Sequence, residues 1–389
     1  MALSSFSFQP LIAYESAWRP ILYKATSNHA DIIYVKITIS VDGSDITTSH
    51  VLYPDAGTAN EFTIDIKRYI QQYLDYTWGA VDSATVKQGD HASVYVKFEE
   101  YVDTTGVPAT TSSIITSNTK KFVSVTVQHT DAQTLDKYIA DDSAASWLTN
   151  RPDYTSFRLT DSGYIYIINP STAACNRVYF STYDGAGSLL KAGYFTISKT
   201  DLIGIPCAPA NMNAATVTFS TGSGTPIDTN VVTYKINMAL TSDSKSSAKW
   251  FKVDQKCKYQ NSVIHFGNPL GGIDSFNFQH EKERRLKVRR SAYSTPVTNT
   301  NMTWNVDDRG DTQIIDSAKV IYKLKSGILT EAQAIWLEDL KASTDVKLQD
   351  GSNYIPINII NFASVTTDTT RRMYRCEIEY EHANQLVVQ

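Results

Sequence analysis

The sequence has few cysteines and lacks the spacings that metal and redox sites need. Its 389 residues include four cysteines, and no two of them stand in a C-x-x-C pair, so the ligand spacing of a zinc site is absent. They are Cys175, Cys207, Cys257 and Cys376. We interpret them as four separate, reduced and partly buried thiols.

Long apolar runs and a secretory leader are also lacking. No apolar run approaches the ~20 residues that a membrane-spanning helix needs. The first residues, from Met1 to Phe6, have neither the basic region nor the apolar core of a signal peptide. We therefore expect a protein that is made in a cytoplasm and has no membrane partner.

A strong excess of one charge is missing too. The formal net charge is −4 and the pI is about 6.0, whereas a dedicated nucleic-acid binder usually carries a clear basic excess. Hydrophobic residues make up 42% and charged residues 20%, which is enough to bury real cores and excludes a disordered chain. Aromatic residues reach 11%, with 23 tyrosines, and this composition favours β-structure.

Patterns of catalytic or metal-binding residues do not occur either. No histidine stands in an H-x-x-x-H pair or at ligand spacing from a cysteine. The seven histidines are His29, His50, His91, His129, His265, His280 and His382. Asp307–Asp311 is as acidic as a calcium loop but lacks the EF-hand spacing and its terminal glutamate. We predict no catalytic residue, no metal, no cofactor and no enzymatic activity, and we interpret His265 as a hydrogen-bonded core or loop residue.

Apolar and polar residues alternate in many short segments, which is the pattern of half-buried strands. We predict a mainly β chain of antiparallel, sandwich-like modules with two short-to-medium helices. Three domains are expected: an N-terminal β domain with one helix at 1–121, a middle β-sandwich-like domain at 122–246, and a C-terminal β domain with one capped helix at 247–389. The threonine- and serine-rich segment Thr104–Lys120 is predicted to be a long hairpin loop or a mobile arm.

Two segments have helical spacing instead. Thr63–Leu74 carries an apolar stripe, and Asp65 can cap its start. A second helix is predicted to begin at Thr330, because Thr330 and Gln333 form a capping box in which each side chain can bind the other's free amide. Trp336 lies at the centre of its apolar face.

The most distinctive segment is Val263–Phe278, which is predicted to be a strand, a tight glycine loop and a second strand. It resembles a segment of virion structural proteins from tailed phages that infect Bacteroidota, including the crAss-like phages. In those proteins a strand leads into Gly-Gly-x-Asp-x-Phe-x-Phe and then into a basic strand, and Gly271–Phe278 matches this pattern. His265–Pro269 departs from the aromatic start of the family segment. The order of further segments is similar over most of the chain, including a W-L-x-N-R-P step at Trp147–Pro152 and the segment Leu329–Ser343.

A basic strand follows the glycine loop here as well. In a strand, Leu286 and Val288 would face the core, and Arg285, Lys287 and Arg289 would form a ladder on the opposite face, about 7 Å apart. We call these three cations the ladder. Exposed like charges repel one another, so the ladder favours an anionic partner, although a solvated edge strand protected by its charges is the open alternative. The partner would be an acidic patch on a neighbouring subunit or DNA in a lumen, and the negative net charge favours the subunit.

The resemblance implies a structural protein of the virion, made in the host bacterial cytoplasm. It implies a subunit of a neck or tail ring, or of a tail assembly, connecting the portal with the distal tail. Its partners would be further copies of itself and other neck or tail proteins. DNA could pass through the lumen without being bound specifically, and the ladder would be the candidate subunit interface. The alternative is a β-sandwich module that binds glycans, in a phage fibre or surface protein, because tyrosine and tryptophan rings stack on sugars.

Overall fold

In the computed structural model, strands dominate the described residues and helical residues are few, which confirms the mainly β prediction. The residues described are 3, 6–9, 14–29, 31–46, 50–55, 60–74, 78, 86–89, 91–104, 107–124, 135–141, 143–170, 174–255, 262–294, 311–368 and 373–384. The structure does not describe Cys257 or Asp307–Gly310, so what the sequence predicts for them stays a prediction.

Strands dominate each part of the chain. The N-terminal part forms strands β1 Phe6–Phe8, β2 Tyr14–Ser16, β3 Leu22–Thr26, β4 Ile32–Val41, β5 Ser44–Asp45, β6 His50–Leu52, β7 Glu61–Asp65, β8 Lys87–Gln88, β9 His91–Thr104, β10 Val107–Thr116 and β11 Lys120–Val123, with helix α1 at Lys67–Gln71. The middle part forms β12 Thr155–Phe157, β13 Tyr164–Asn169, β14 Arg177–Tyr183, β15 Leu189–Thr196, β16 Asp201–Pro206, β17 Thr218–Thr221, β18 Thr233–Leu240, β19 Asp243–Ser244 and β20 Lys249–Val253, with a 3-10 turn at Leu135–Tyr138 and helix α2 at Pro209–Ala214. The last part forms β21 Ser262–Gly267, β22 Ile273–Phe278, β23 Lys282–Ser294, β24 Asp311–Lys325, β25 Val346–Asp350, β26 Asn353–Asp368 and β27 Met373–His382, with helices α3 Glu331–Trp336 and α4 Glu338–Ala342.

The chain divides into two compact units. Unit 1 comprises Met1–Val253 and Gly267–Asp274, and unit 2 comprises Asp254–Phe266 and Ser275–Gln389. The glycine loop therefore belongs to unit 1 although both of its flanks belong to unit 2. The predicted boundary at residue 122 falls inside unit 1, and the division into three domains stays a prediction.

Unit 1 contains two β-sandwich-like cores. In the first, the sheet β1-β3-β7 and the sheet β2-β11-β9-β4-β5 share a hydrophobic cluster. In the second, the sheet β13-β16-β8 and the sheet β12-β20-β18-β14-β15-β17 share another. Every second residue of β14 is buried, including Val178 and Phe180, as the alternation of its sequence predicts.

Unit 2 is built on a seven-stranded sheet in the order β22-β21-β25-β26-β27-β24-β23. Helix α3 packs Trp336, which is 1% exposed, against Phe266 and Phe276. The predicted capping box is confirmed, because Thr330 Oγ1 accepts from the Gln333 amide and Gln333 Oε1 accepts from the Thr330 amide, at 3.3 and 3.1 Å.

The first predicted helix is shorter than the sequence indicates. Within Thr63–Leu74, the first residues belong to β7, and only α1 is helical. Phe62 and Ile64 are 0% and 6% exposed, so their period-two burial prevails over the helical stripe. The carboxylate of Asp65 accepts a hydrogen bond from the Lys67 amide at 2.9 Å, next to the start of α1.

The loop or arm predicted at Thr104–Lys120 is wrong for most of its length. Val107–Thr116 is strand β10, which pairs with β9 in antiparallel register, with Ile115 opposite Phe98. Ile115 is 8% exposed, and threonine is itself a strand former, so this threonine-rich segment pairs as a strand despite its polar composition.

Candidate functional site

The two segments that carry the phage-like resemblance meet in a buried polar cluster of unit 1. The hydroxyl of Thr149 donates to the carboxylate of Asp274, at 2.9 and 2.7 Å from its two oxygens. Arg151 Nη2 lies 3.9 Å from Asp274 Oδ1, and both side chains are at most 1% exposed. The Arg151 guanidinium also lies 5.0 Å from the centre of the Phe157 ring. Because this ion pair is fully enclosed, removing either partner would take a charge–charge contact from a buried group, which is costly.

The glycine loop is fixed by one asparagine. The side chain of Asn268 donates to the Leu148 carbonyl at 3.0 Å and accepts from the amides of Leu270 and Gly272 at 2.9 and 3.0 Å. A Cβ atom at Gly272 would lie 3.0 Å from the Leu148 carbonyl oxygen and 3.1 Å from Tyr166 Cβ. The Gly-Gly-x-Asp signature is thus explained by close packing and by a buried carboxylate, which are structural roles.

A second polar cluster of unit 1 was not predicted from the sequence. Asp201 accepts a hydrogen bond from the Tyr14 hydroxyl at 2.7 Å, forms an ion pair with Lys121, and lies 3.7 Å from His91 Nε2. Burial raises the pKa of Asp201, but the hydrogen bonds from Lys121 and Tyr14 outweigh it, so the pKa is lowered. These residues come from distant strands, and no local spacing signals their meeting. These neighbours therefore favour the ionised form of the Asp201 carboxylate.

The three cysteines that the structure describes are buried thiols. Cys175, Cys207 and Cys376 are buried and free, which agrees with the interpretation from the sequence. Burial raises the pKa of Cys175 to about 11 and the pKa of Cys207 to about 12. Since the thiolate is the nucleophile, neither thiol is reactive near neutral pH.

His265 also has the predicted structural role. It is 2% exposed, its Nε2 lies 3.2 Å from Gln349 Oε1, and its ring packs edge-on against Tyr354. In the part of the chain that the structure describes, no group of three or more histidine, cysteine or acidic residues is placed to hold a metal ion. A cleft of about 310 Å³ beside Phe195 and Ala214 has Lys199 as the only ionisable residue among its described lining residues.

The ladder lies on an uncovered two-stranded ribbon. Strand β23 pairs with β24, but β24 pairs with β27 only over Tyr322–Lys325. Beyond that point, Arg285–Ser294 and Asp311–Ile321 pair only with each other among the described residues, and we call these two segments the ribbon. Arg285 is 62% exposed and binds Glu283 at 2.8 Å, whereas Lys287 and Arg289 are exposed.

The prediction that Leu286 and Val288 face the core is wrong in one respect. Leu286 lies opposite Val320 and Val288 opposite Ala318, and opposed residues share a face. Four residues from Val320 along β24, and on the same face, Leu324 is buried. The alternation therefore predicts the correct face, but the ribbon runs beyond the end of the core, and Leu286 is 61% exposed.

Comparisons with known proteins leave the family open. No model of a protein family matches the chain, and a search of curated proteins found no match. Among the helices described, none combines the length and the apolar character needed to cross a membrane.

Proposed function

We propose that the chain is a structural protein of a tailed-phage virion, a subunit of a ring or tail assembly between the portal and the distal tail. Its function is geometric: rigid β-units present faces to copies of the same chain and to neighbouring virion proteins. Copies that contact one another through two different surfaces form a ring when the rotation between them closes.

The exposed ribbon is the observation that carries this proposal. Leu286 and Ile315 are 61% and 48% exposed on one of its faces, and Ile314 is 51% exposed on the face that carries the ladder. An exposed edge strand is normally protected by charges or covered by another element. Exposed apolar side chains on such a strand favour an interaction surface. The buried polar clusters and protonated thiols described above support a structural role rather than catalysis.

Locating the protein tests the proposal. Mass spectrometry of purified virions should detect the chain in many copies per particle, and immunogold labelling should place it at the neck or tail. A host cytoplasmic protein serves as the negative control. Absence of the chain from intact particles would overturn the proposal.

A glycan-binding module is the second candidate, and one sheet face favours it. On the sheet of β14, β18 and β20, Trp250 stacks on Tyr154 with ring centres 5.6 Å apart and lies 5.4 Å from Tyr183. Tyr154 is 52% exposed, so its ring is the most accessible for a sugar. Glycan-array binding that is lost in Tyr154→Ala would favour this function over a purely structural one.

A further inference from the structure

The ribbon has two chemically different faces. On β23, Arg284, Leu286, Val288 and Arg290 alternate with the ladder and therefore lie on the opposite face. Their partners across the ribbon include Val320, Ala318 and Ile315. We call this the apolar face: its centre is apolar and an arginine stands at each end. Leu286 and Ile315 are its most exposed apolar residues.

A complementary surface lies on the short helices of the same unit. Glu331, Ile335 and Glu338 are spaced four and three residues apart, which places them on one side of a helical path. Leu337 between α3 and α4 has φ −70° and ψ −10°, so the path continues. Ile335 is 59% exposed and both glutamates are exposed. We call these three residues the acidic patch, in which an apolar residue stands between two carboxylates.

The charge distribution favours a second copy as the occupant of the apolar face. Strand β23 has six basic residues and one acidic residue, a net charge of +5. The whole chain has a net charge of −4, so the rest of the chain carries −9. Any other copy therefore meets the basic strand with an excess of negative charge, and opposite potentials steer and orient association.

We propose that the apolar face of the ribbon in one copy docks on the acidic patch of a second copy. Leu286 and Ile335 would be buried together, while Arg284 and Arg290 would pair with Glu331 and Glu338. The two surfaces differ, so the contact is head-to-tail and can be repeated around a ring. This inference rests on the proposed function and deepens it, because it names the partner and assigns the contact to the face opposite the ladder.

Charge exchange tests the contact through self-association, measured by analytical ultracentrifugation of the full-length chain. Arg284→Glu with Arg290→Glu should weaken self-association about tenfold or more, because like charges would then oppose each other across the contact. Glu331→Arg with Glu338→Arg should weaken it similarly. All four substitutions together should restore it to within about threefold of the unmodified chain. Melting temperatures are measured for each variant to confirm folding.

The chain offers two matched controls. Lys287→Glu with Arg289→Glu makes the same charge change on the ladder face of the same strand, and Arg68→Glu with Lys252→Glu makes it on exposed cations of unit 1. Both should change self-association by less than about threefold. If the ladder variant abolishes association and the Arg284 and Arg290 variant does not, the contact uses the ladder and the inference is overturned. A chain that stays monomeric at about 1 mM also overturns it.

A photo-crosslinker in place of Leu286 gives an independent readout. In a mixture of isotopically light and heavy chains, light-to-heavy crosslinks should reach residues 328–338. Crosslinks confined to single chains, or reaching other surfaces, would contradict the docking. The protein could still be found in virions in that case, so failure of this inference is distinguishable from failure of the proposed function.

Discussion

Lys87 shows how burial changes the chemistry of a single residue. It is 7% exposed, and its ammonium lies 3.8 Å from the centre of the Tyr164 ring. Burial lowers the pKa of Lys87 to about 8, against about 10.4 in an unfolded chain. The folded state therefore binds fewer protons than the unfolded state between these two values, and the free energy of unfolding rises with pH in this window.

We expect the Lys87→Met variant to lose this alkaline gain. Between pH 7.5 and 9.5, the free energy of unfolding of the unmodified chain should rise by about 1–2 kcal/mol relative to the variant. Urea titrations at a series of pH values measure the difference. Lys252→Met, which removes an exposed lysine, is the control and should show no such trend. A constant difference between the chain and Lys87→Met would show that Lys87 is charged in the folded state.

Sequence patterns predict residue environments well where the cause is local. The separate thiols of Cys175, Cys207 and Cys376 were predicted from the absence of paired spacings. The burial of His265 was predicted from its place in an alternating strand. The hydrogen bond between Thr149 and Asp274 could not be predicted in this way, because the two residues are 125 positions apart in the chain. No alternation or spacing encodes which strands bring a carboxylate and an arginine together. The two segments could each be singled out from the sequence, but their contact is a tertiary fact.

At the scale of elements, helix α3 stabilises unit 2 through one large side chain. Trp336 is 1% exposed and contacts Phe266 and Phe276 with ring centres 5.9 Å away. We expect Trp336→Ala to lower the free energy of unfolding by about 3–5 kcal/mol, the cost of deleting a buried large aromatic side chain. Denaturant titration measures it, and Ile360→Ala, at a residue 49% exposed, should cost far less. Equal effects of the two substitutions would contradict this packing.

Element type was easier to predict than element extent. The capping box fixed the start of α3, because both of its hydrogen bonds are made within four consecutive residues. The helical stripe in Thr63–Leu74 predicted a longer α1 than the structure has, because the residues of β7 pair with β3. In the ribbon, the alternation of the sequence predicted the correct faces. It could not predict where the core ends, because that depends on where β27 stops pairing with β24. The apolar face of β23 was therefore assigned correctly but wrongly expected to be covered, and the interface on this strand stays a prediction.

At the scale of the whole molecule, the chain order has a consequence for folding. Unit 1 is completed by Gly267–Asp274, which follows a segment of unit 2 in the sequence. A fragment of residues 1–253 therefore lacks Asp274 and leaves Arg151 without that carboxylate. An enclosed ion pair is costly to break from one side, but this cost does not arise where the partner is already absent.

We therefore expect Arg151→Met to have effects of different size in the two contexts. In the full chain it should destabilise unit 1 by about 3–5 kcal/mol, because the buried Asp274 loses its cation. In the 1–253 fragment it should lower the melting temperature far less than in the full chain, because the contact with Asp274 is already absent there. Thermal unfolding of all four proteins gives the comparison, with Arg68→Met, at an exposed arginine, as the control. If Arg151→Met lowered the melting temperature of the fragment as much as that of the full chain, the contribution of Arg151 to the stability of unit 1 would not depend on the glycine loop. The Gly-Gly-x-Asp segment would then serve some purpose other than completing this unit.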